Sequence, residues 1–163
     1  MATARFNYTS YDVRRMQDVV NPCSHTDIMV LSHEDETSGA HPYWYARVVG
    51  IFYVLVRFRI PGSSALTEPE RFNILWVRWF GLDSVGSSGW AARRLHMLGF
   101  LPSDDSSGPA FGFIDPTQVI RGVHLIPAFS YGTTQEFLGP ERSVAYQHPE
   151  LGNWDYVAYY LGM

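Results

Sequence analysis

Lysine is absent from this chain, and all twelve of its basic residues are arginine. Arginine is a planar, permanently charged fork, suited to bidentate pairing and costly to exchange for lysine. Cysteine is nearly absent as well. The single Cys23 excludes an internal disulfide framework and a multi-thiolate zinc site, and it fits a reducing, intracellular setting. Long apolar runs are also missing. The longest, Val48 to Val56, is too short to cross a bilayer, so no membrane partner is expected. The N-terminal region holds no apolar h-region, so the sequence predicts no secretory signal, and the Asn7-Tyr8-Thr9 sequon carries no expected meaning. Charge is sparse at 17 %, with a net of −4. That balance argues against strong binding to naked DNA, which needs a positive field.

Aromatic residues, in contrast, are plentiful. They make up 15 % of the 163 residues, within a hydrophobic fraction of 46 %, beside 14 glycines and 10 prolines. This composition is globular and favours short strands joined by turns. The length suits one domain over 1–163. Its expected parts are an N-terminal helical extension (1–40), a β-barrel core (41–130) and a loop-rich C-terminal wrap (131–163). No internal repeat is visible.

Tyr11 to Val20 reads as a short helix, capped by Thr9 or Ser10, with Val13, Met16 and Val20 on one face. Asp27 to Ser32 reads as a strand. The strongest signal runs from Tyr43 to Ile60, where both alternating faces are largely apolar in the middle. Such a strand is covered on two sides or bent within a barrel, with Gly50 as the bulge or bend. Phe72 to Phe80 is the next strand, and the two predict a long antiparallel hairpin around a polar loop. Asp115-Pro116 predicts a capped helical turn through Ile120, followed by a last core strand from Val123. The fold expectation is mainly β: a small, partly open β-barrel with an N-terminal helix and one short helical turn before the last core strand.

The stretches "WYARVVGIFYVLVRF", "FNILWVRWFG" and "DPTQVIRGVHLI" resemble the bromo-adjacent homology domain. The matching positions are Ala46, Arg47, Val48 and Ile51, then Val77, Trp79 and Phe80, then Ile120, Gly122 and Leu125. Gly81-Leu82-Asp83 departs from the aromatic-Arg-Pro that usually follows "W-F" in that family. Val123-His124 stands where a cysteine is common. Across nearly the whole chain, "YDVRRMQDVVNP", "HPYWYARVVGIF", "GFIDPTQVIRGVHLIPAF" and "WDYVAYYLGM" are similar to a segment of mushroom-type fungal proteins linked to Plavaka or Kyakuja-Dileera-Zisupton transposable elements. The first resemblance implies a chromatin-reading module that binds a protein tail such as a histone in the nucleus. The second implies an origin in a mobile element.

Five kinds of chemistry can be weighed on the residues. His25, Asp27, His33, Glu34, Asp35 and His41 crowd one region, yet none are paired at close ligand spacing. No metal is therefore expected, and a metal-assisted hydrolase using the His25–His41 region is the enzyme alternative. Cys23 beside Ser24-His25 reads as a structural thiol, because activation depends on the folded surroundings. Asp104-Asp105 and Glu34-Asp35 read as solvated loop residues. Arg14-Arg15, Arg93-Arg94 and the Arg57/Arg59 pair could touch phosphates, but the acidic total favours ion pairs.

Aromatic recognition is the strongest of the five. Tyr43, Trp44 and Tyr45 stand at the start of the long strand, and Trp76, Trp79 and Trp90 lie near the far end of the hairpin and its loop. Such rings cage methylated ammonium groups or anchor peptides, and equally they pack cores. Trp79 shares the parity of Leu75 and Val77 and reads as core. Trp76 shares the face of Arg78 and reads as half exposed. The binding expectation therefore rests on Tyr43, Trp44, Tyr45, Trp76 and Trp90, with no catalytic residue and no cofactor. A structural or oligomerisation domain is the further alternative.

Overall fold

The computed structural model describes residues 3–9, 15–32, 41–62, 64–82, 93–103, 108–139, 143–145 and 151–162. The fold is mainly β. Two long strands, β4 (Tyr43–Val56) and β5 (Glu70–Leu82), form its spine and pair antiparallel, as the alternation predicts. On one side β3 (Asp27–Leu31) joins β4, and β8 (Val119–Gly122) joins β3. On the other side β7 (Phe111–Ile114) pairs with Leu75–Arg78 of β5, and β6 (Met97–Phe100) pairs with Phe80–Leu82. Then β12 (Tyr159–Gly162) follows β6, and β9 (His124–Pro127) completes the path.

The sheet is an open path that does not close into a barrel, where the sequence predicts a partly open one. Its two terminal strands, β8 and β9, are separated in the chain by Val123 alone. The sheet therefore has to curl until its ends lie along one continuous segment. Pairing switches there from β3 to β12, and Val123 itself donates to the Asp27 carbonyl (2.9 Å). The C-terminal segment is thus more than a wrap, since β12 is an interior strand.

The N-terminal helix is a second correction. Arg15–Val20 forms a strand, β2, paired with β1 (Ala4–Thr9); residues 11–14 of the expected helix lie outside the described residues. Val13, Met16 and Val20 do have helical spacing, but Val20 buries beside Phe6 while Met16 and Val19 stay exposed. Cross-strand pairing and sheet burial outweigh a weak local preference. Asp18 ties this hairpin down by accepting the Gly122 N–H (2.9 Å). The expected turn at Asp115 is present but shorter. Asp115 accepts the Thr117 N–H (2.8 Å) over a 3₁₀ turn at Pro116–Gln118, and Val119 onward is strand.

Two cores lie on opposite faces of the spine. Ala46, Val48, Leu75 and Val77 face a cluster with Ile28, Val30, Phe6 and Val20. Tyr45 and Phe80 face the other, with Leu98, Phe100, Tyr159 and Leu161. Coverage on both sides explains why the buried stretch of β4, Tyr45–Gly50, is apolar on both alternating faces except at Arg47. The register slips between Val48 and Gly50, so Val49 is the extra residue and Gly50 lies opposite Trp76. The slip thus falls next to Gly50, where the sequence predicts a bulge or bend. Its consequence is a change of parity: Ala46 and Val48 share their face with Ile51 and Tyr53, not with Phe52 and Val54.

Candidate functional site

Beyond the bulge, β4 and β5 leave the body together. Phe52–Val56 pair with Glu70–Ile74, and no other described strand pairs with either segment. Hydrogen bonds continue the ribbon outward. Phe58 N–H donates to Thr67 Oγ1, and Thr67 N–H donates to the Phe58 carbonyl (both 2.9 Å). The hairpin turns at Pro61-Gly62, where Gly62 takes the positive φ of 80° that a side chain resists.

Cross-strand partners share a face of a sheet. The register therefore places Phe52 beside Ile74, Val54 beside Phe72, and Gly50 beside Trp76, with Phe113 of β7 on Trp76's other side. One face of this three-stranded region thus carries Phe113, Trp76, Phe52, Val54 and Phe72 in sequence, and Phe58 meets Phe72 edge to face (6.0 Å). Trp76 is half-buried against Phe111 (5.9 Å). The Phe52 ring lies over Gly50, where an added Cβ would come within 2.6 Å of it. Phe113 is 70 % exposed, Phe52 49 %, Phe58 48 % and Phe72 37 %. Taking about 200 Å² for a free phenylalanine, these four rings present roughly 400 Å², and Val54 with the half-buried Trp76, Phe111, Val56 and Ile74 brings the face to roughly 600 Å². That is the upper end of what a monomer's largest apolar patch shows. Glu70 is the one charge that the register puts on this face of the ribbon. The opposite face is amphipathic: Arg71 lies over the Tyr53 ring (4.2 Å) and donates to Asn73.

At the body end the same strands hold buried charge. Arg47 and Arg78 are direct cross-strand partners and both are buried. Like charges opposed in this way repel. Each is neutralised by its own carboxylate. Arg47 donates to both oxygens of Asp27 (2.7 and 3.0 Å), and Arg78 to both of Asp155 (3.1 and 2.8 Å). The Phe100 ring contacts both guanidinium groups, at 3.7 Å from Arg78 and 5.2 Å from Arg47. Arg47 also donates to the Tyr159 hydroxyl (3.3 Å). Burial pulls Arg47 toward its neutral form, but Asp27's charge and hydrogen bonds more than offset this and its pKa is raised. Burial also pushes the Tyr159 hydroxyl up, against the opposing pull of Arg47. The cluster binds six strands into the body: β3, β4, β5, β6, β12 and β11 (Asp155–Tyr156), the last of which pairs with β10 (Thr133–Thr134). It presents no exposed reactive group.

The residues singled out from sequence do not converge. Tyr45 is buried in the second core, and Tyr43 packs against that core. Trp44 packs on the first core with its ring edge-on to Trp79 (5.9 Å). Trp79 is likewise core-packed, as its parity predicts. Trp76 alone joins the exposed aromatic face. Trp90 lies outside the described residues. His41 contacts His96 (ring centroids 5.2 Å), and His25 lies exposed beside Ser24 (3.1 Å). Among the described residues no three His, Cys, Asp or Glu side chains gather as a metal site; His33, Glu34 and Asp35 lie outside them. Phe52, Phe58, Phe72 and Phe113 were missed by the sequence reading. The available signal was that both parities of Ile51–Val56 stay apolar beyond Gly50, where no described strand remains to cover them. No helix among the described residues is long and apolar enough to cross a membrane. No known family model, curated protein or solved structure matches the chain.

Proposed function

We propose that this chain is a non-catalytic protein-interaction module whose docking surface is the aromatic face of the β4–β5 ribbon and β7. The observation that carries this is the unbroken run of exposed rings from Phe113 through Phe52 to Phe58 on one side of a hydrogen-bonded sheet. Rigid aromatic groups on a fixed scaffold lose little entropy on binding, which makes them the usual anchors of protein contacts. Among the described residues no strand covers the ribbon's edges, whose backbone donors and acceptors an extended segment can match. The bromo-adjacent homology resemblance makes a nuclear chromatin protein the first class of partner to test. The near absence of charge on the face favours an apolar protein segment over a naked phosphate backbone.

The test is a titration of histone-tail and apolar extended peptides, and of duplex DNA, at low and high salt. The chain is held dilute so that it does not compete with itself. Peptide binding should change little with salt. Trp76→Ala and Phe52→Ala should each weaken it by about 1–2 kcal/mol, the scale of one interface anchor. The core-packed Trp44 serves as the control position. Tight duplex binding that disappears at high salt, with no peptide signal, would overturn the proposal.

A further inference from the structure

We infer that the occupant of the aromatic face is a second copy of this chain, in a two-fold dimer that packs ribbon against ribbon. This rests on the docking-surface reading above and names its partner. The first argument is area. The face supplies roughly 600 Å², and the exposed Ile60 at the ribbon tip raises the total to about 700 Å² per chain, within the range of a standard stable interface.

The second argument is self-complementarity. A two-fold contact sets the same patch against itself, which is favourable when the patch is apolar and unfavourable when it carries charge of one sign. Between Phe113 and Phe58 this face carries only Glu70, at the Val56 end of the register. Two ribbons stacked face to face interdigitate their side chains at the ordinary spacing of packed sheets.

The third argument is permanence. Phe52, Val54, Phe58 and Phe72 are exposed on a ribbon whose edges no described strand covers, a combination that exposes a lone chain to indiscriminate association. A copy of the same chain is always present at matching concentration, so a closed dimer protects the face without any other component. Among the described residues, Glu70 is the one charge that the strand register puts on this face, so salt should alter the dimer little.

Sedimentation of the whole chain tests this. The wild type should run at twice its 18.5 kDa mass. Phe72→Glu and Phe58→Glu, on the aromatic face, should weaken association by about 100-fold or more, the loss expected at an interface hot spot. Leu55→Glu, on the opposite face of the same ribbon, should remain a dimer. Near-ultraviolet circular dichroism checks that all three keep the body packed, since none of the three residues lies in either core. A wild type that is monomeric at about 100 µM, a hundred times a micromolar Kd, overturns the inference. So does dissociation by Leu55→Glu equal to that by Phe72→Glu. In a monomeric chain, peptide binding lost in Trp76→Ala would mean that the interaction reading survives and only the choice of partner fails. Absence of both dimer and peptide binding would sink the two together.

Discussion

The β4–β5 pair passes through two environments that reverse the usual distribution of polarity. In the body half, Arg47 and Arg78 sit opposite each other at the centre of the sheet and are buried. In the ribbon half, Phe52, Val54, Leu55, Phe58 and Phe72 are exposed. Backbone pairing is the same throughout, with one slip at Val48–Gly50. Local strand preference therefore does not separate the halves. What separates them is the neighbourhood: the body half has sheet, Asp27, Asp155 and Phe100 around it, and among the described residues the ribbon half has only its own two strands. The comparison teaches that exposure of large apolar groups here is a regional property, concentrated where the sheet outruns its covering layers. Function is best sought in that region.

The largest way to break the comparison is at the buried pair. Asp155→Ala leaves the fully buried Arg78 guanidinium without its counter-charge, and should cost about 3–5 kcal/mol, measured by urea unfolding. Adding Arg78→Met should recover most of that loss, because an apolar side chain of similar volume needs no counter-charge. Failure of the double variant to recover would show that the pair contributes specific stability, and that the body's buried charge is not merely tolerated.

A smaller effect sharpens the same contrast through pH. A tyrosine is neutral when protonated, and burial holds both Tyr159 and Tyr45 above the ordinary value of 10.0. As pH rises past that value the unfolded chain releases these protons first, so the folded state loses stability with each further increase. The stabilisation is fully present below pH 10.0 and is lost above it. Tyr159→Phe should cost about 1 kcal/mol at neutral pH, from the lost Arg47 hydrogen bond, and should flatten the alkaline fall. An unchanged alkaline slope, followed by urea unfolding between neutral and alkaline pH, would place the titrating group elsewhere.

The smallest effect belongs to the ribbon. Leu55→Ala removes a side chain that is 63 % exposed. It should change unfolding free energy by no more than about 0.5 kcal/mol, as for a surface position away from packing. A loss several times larger would mean that this second face is also covered, and the contrast between halves would disappear.

Much of the spine was legible in the residues, because two long alternating runs rich in β-branched and aromatic side chains admit little besides paired strands. Gly50 was legible as the bulge, since a glycine inside such a run accommodates a slip in register. The capped turn at Asp115-Pro116 was legible for a local reason, as its chemistry is complete within three residues. The helix expected to end at Val20 failed because Met16 and Val20, four residues apart, share a face in a helix and in a strand alike, and only Phe6 and Gly122, far off in sequence, decide between them. The aromatic site failed in another way. Parity counted through Gly50 groups Trp44 and Val48 with Phe52, and the extra residue at Val49 reverses that grouping. The sequence by itself determined that the chain is β-rich, nearly thiol-free and poor in charge, because composition and two-residue alternation are local properties. The tertiary structure decided which apolar residues are core and which are surface. Burial depends on what other strands reach a given point, and β6, β7, β9 and β12 reach the body but not the ribbon.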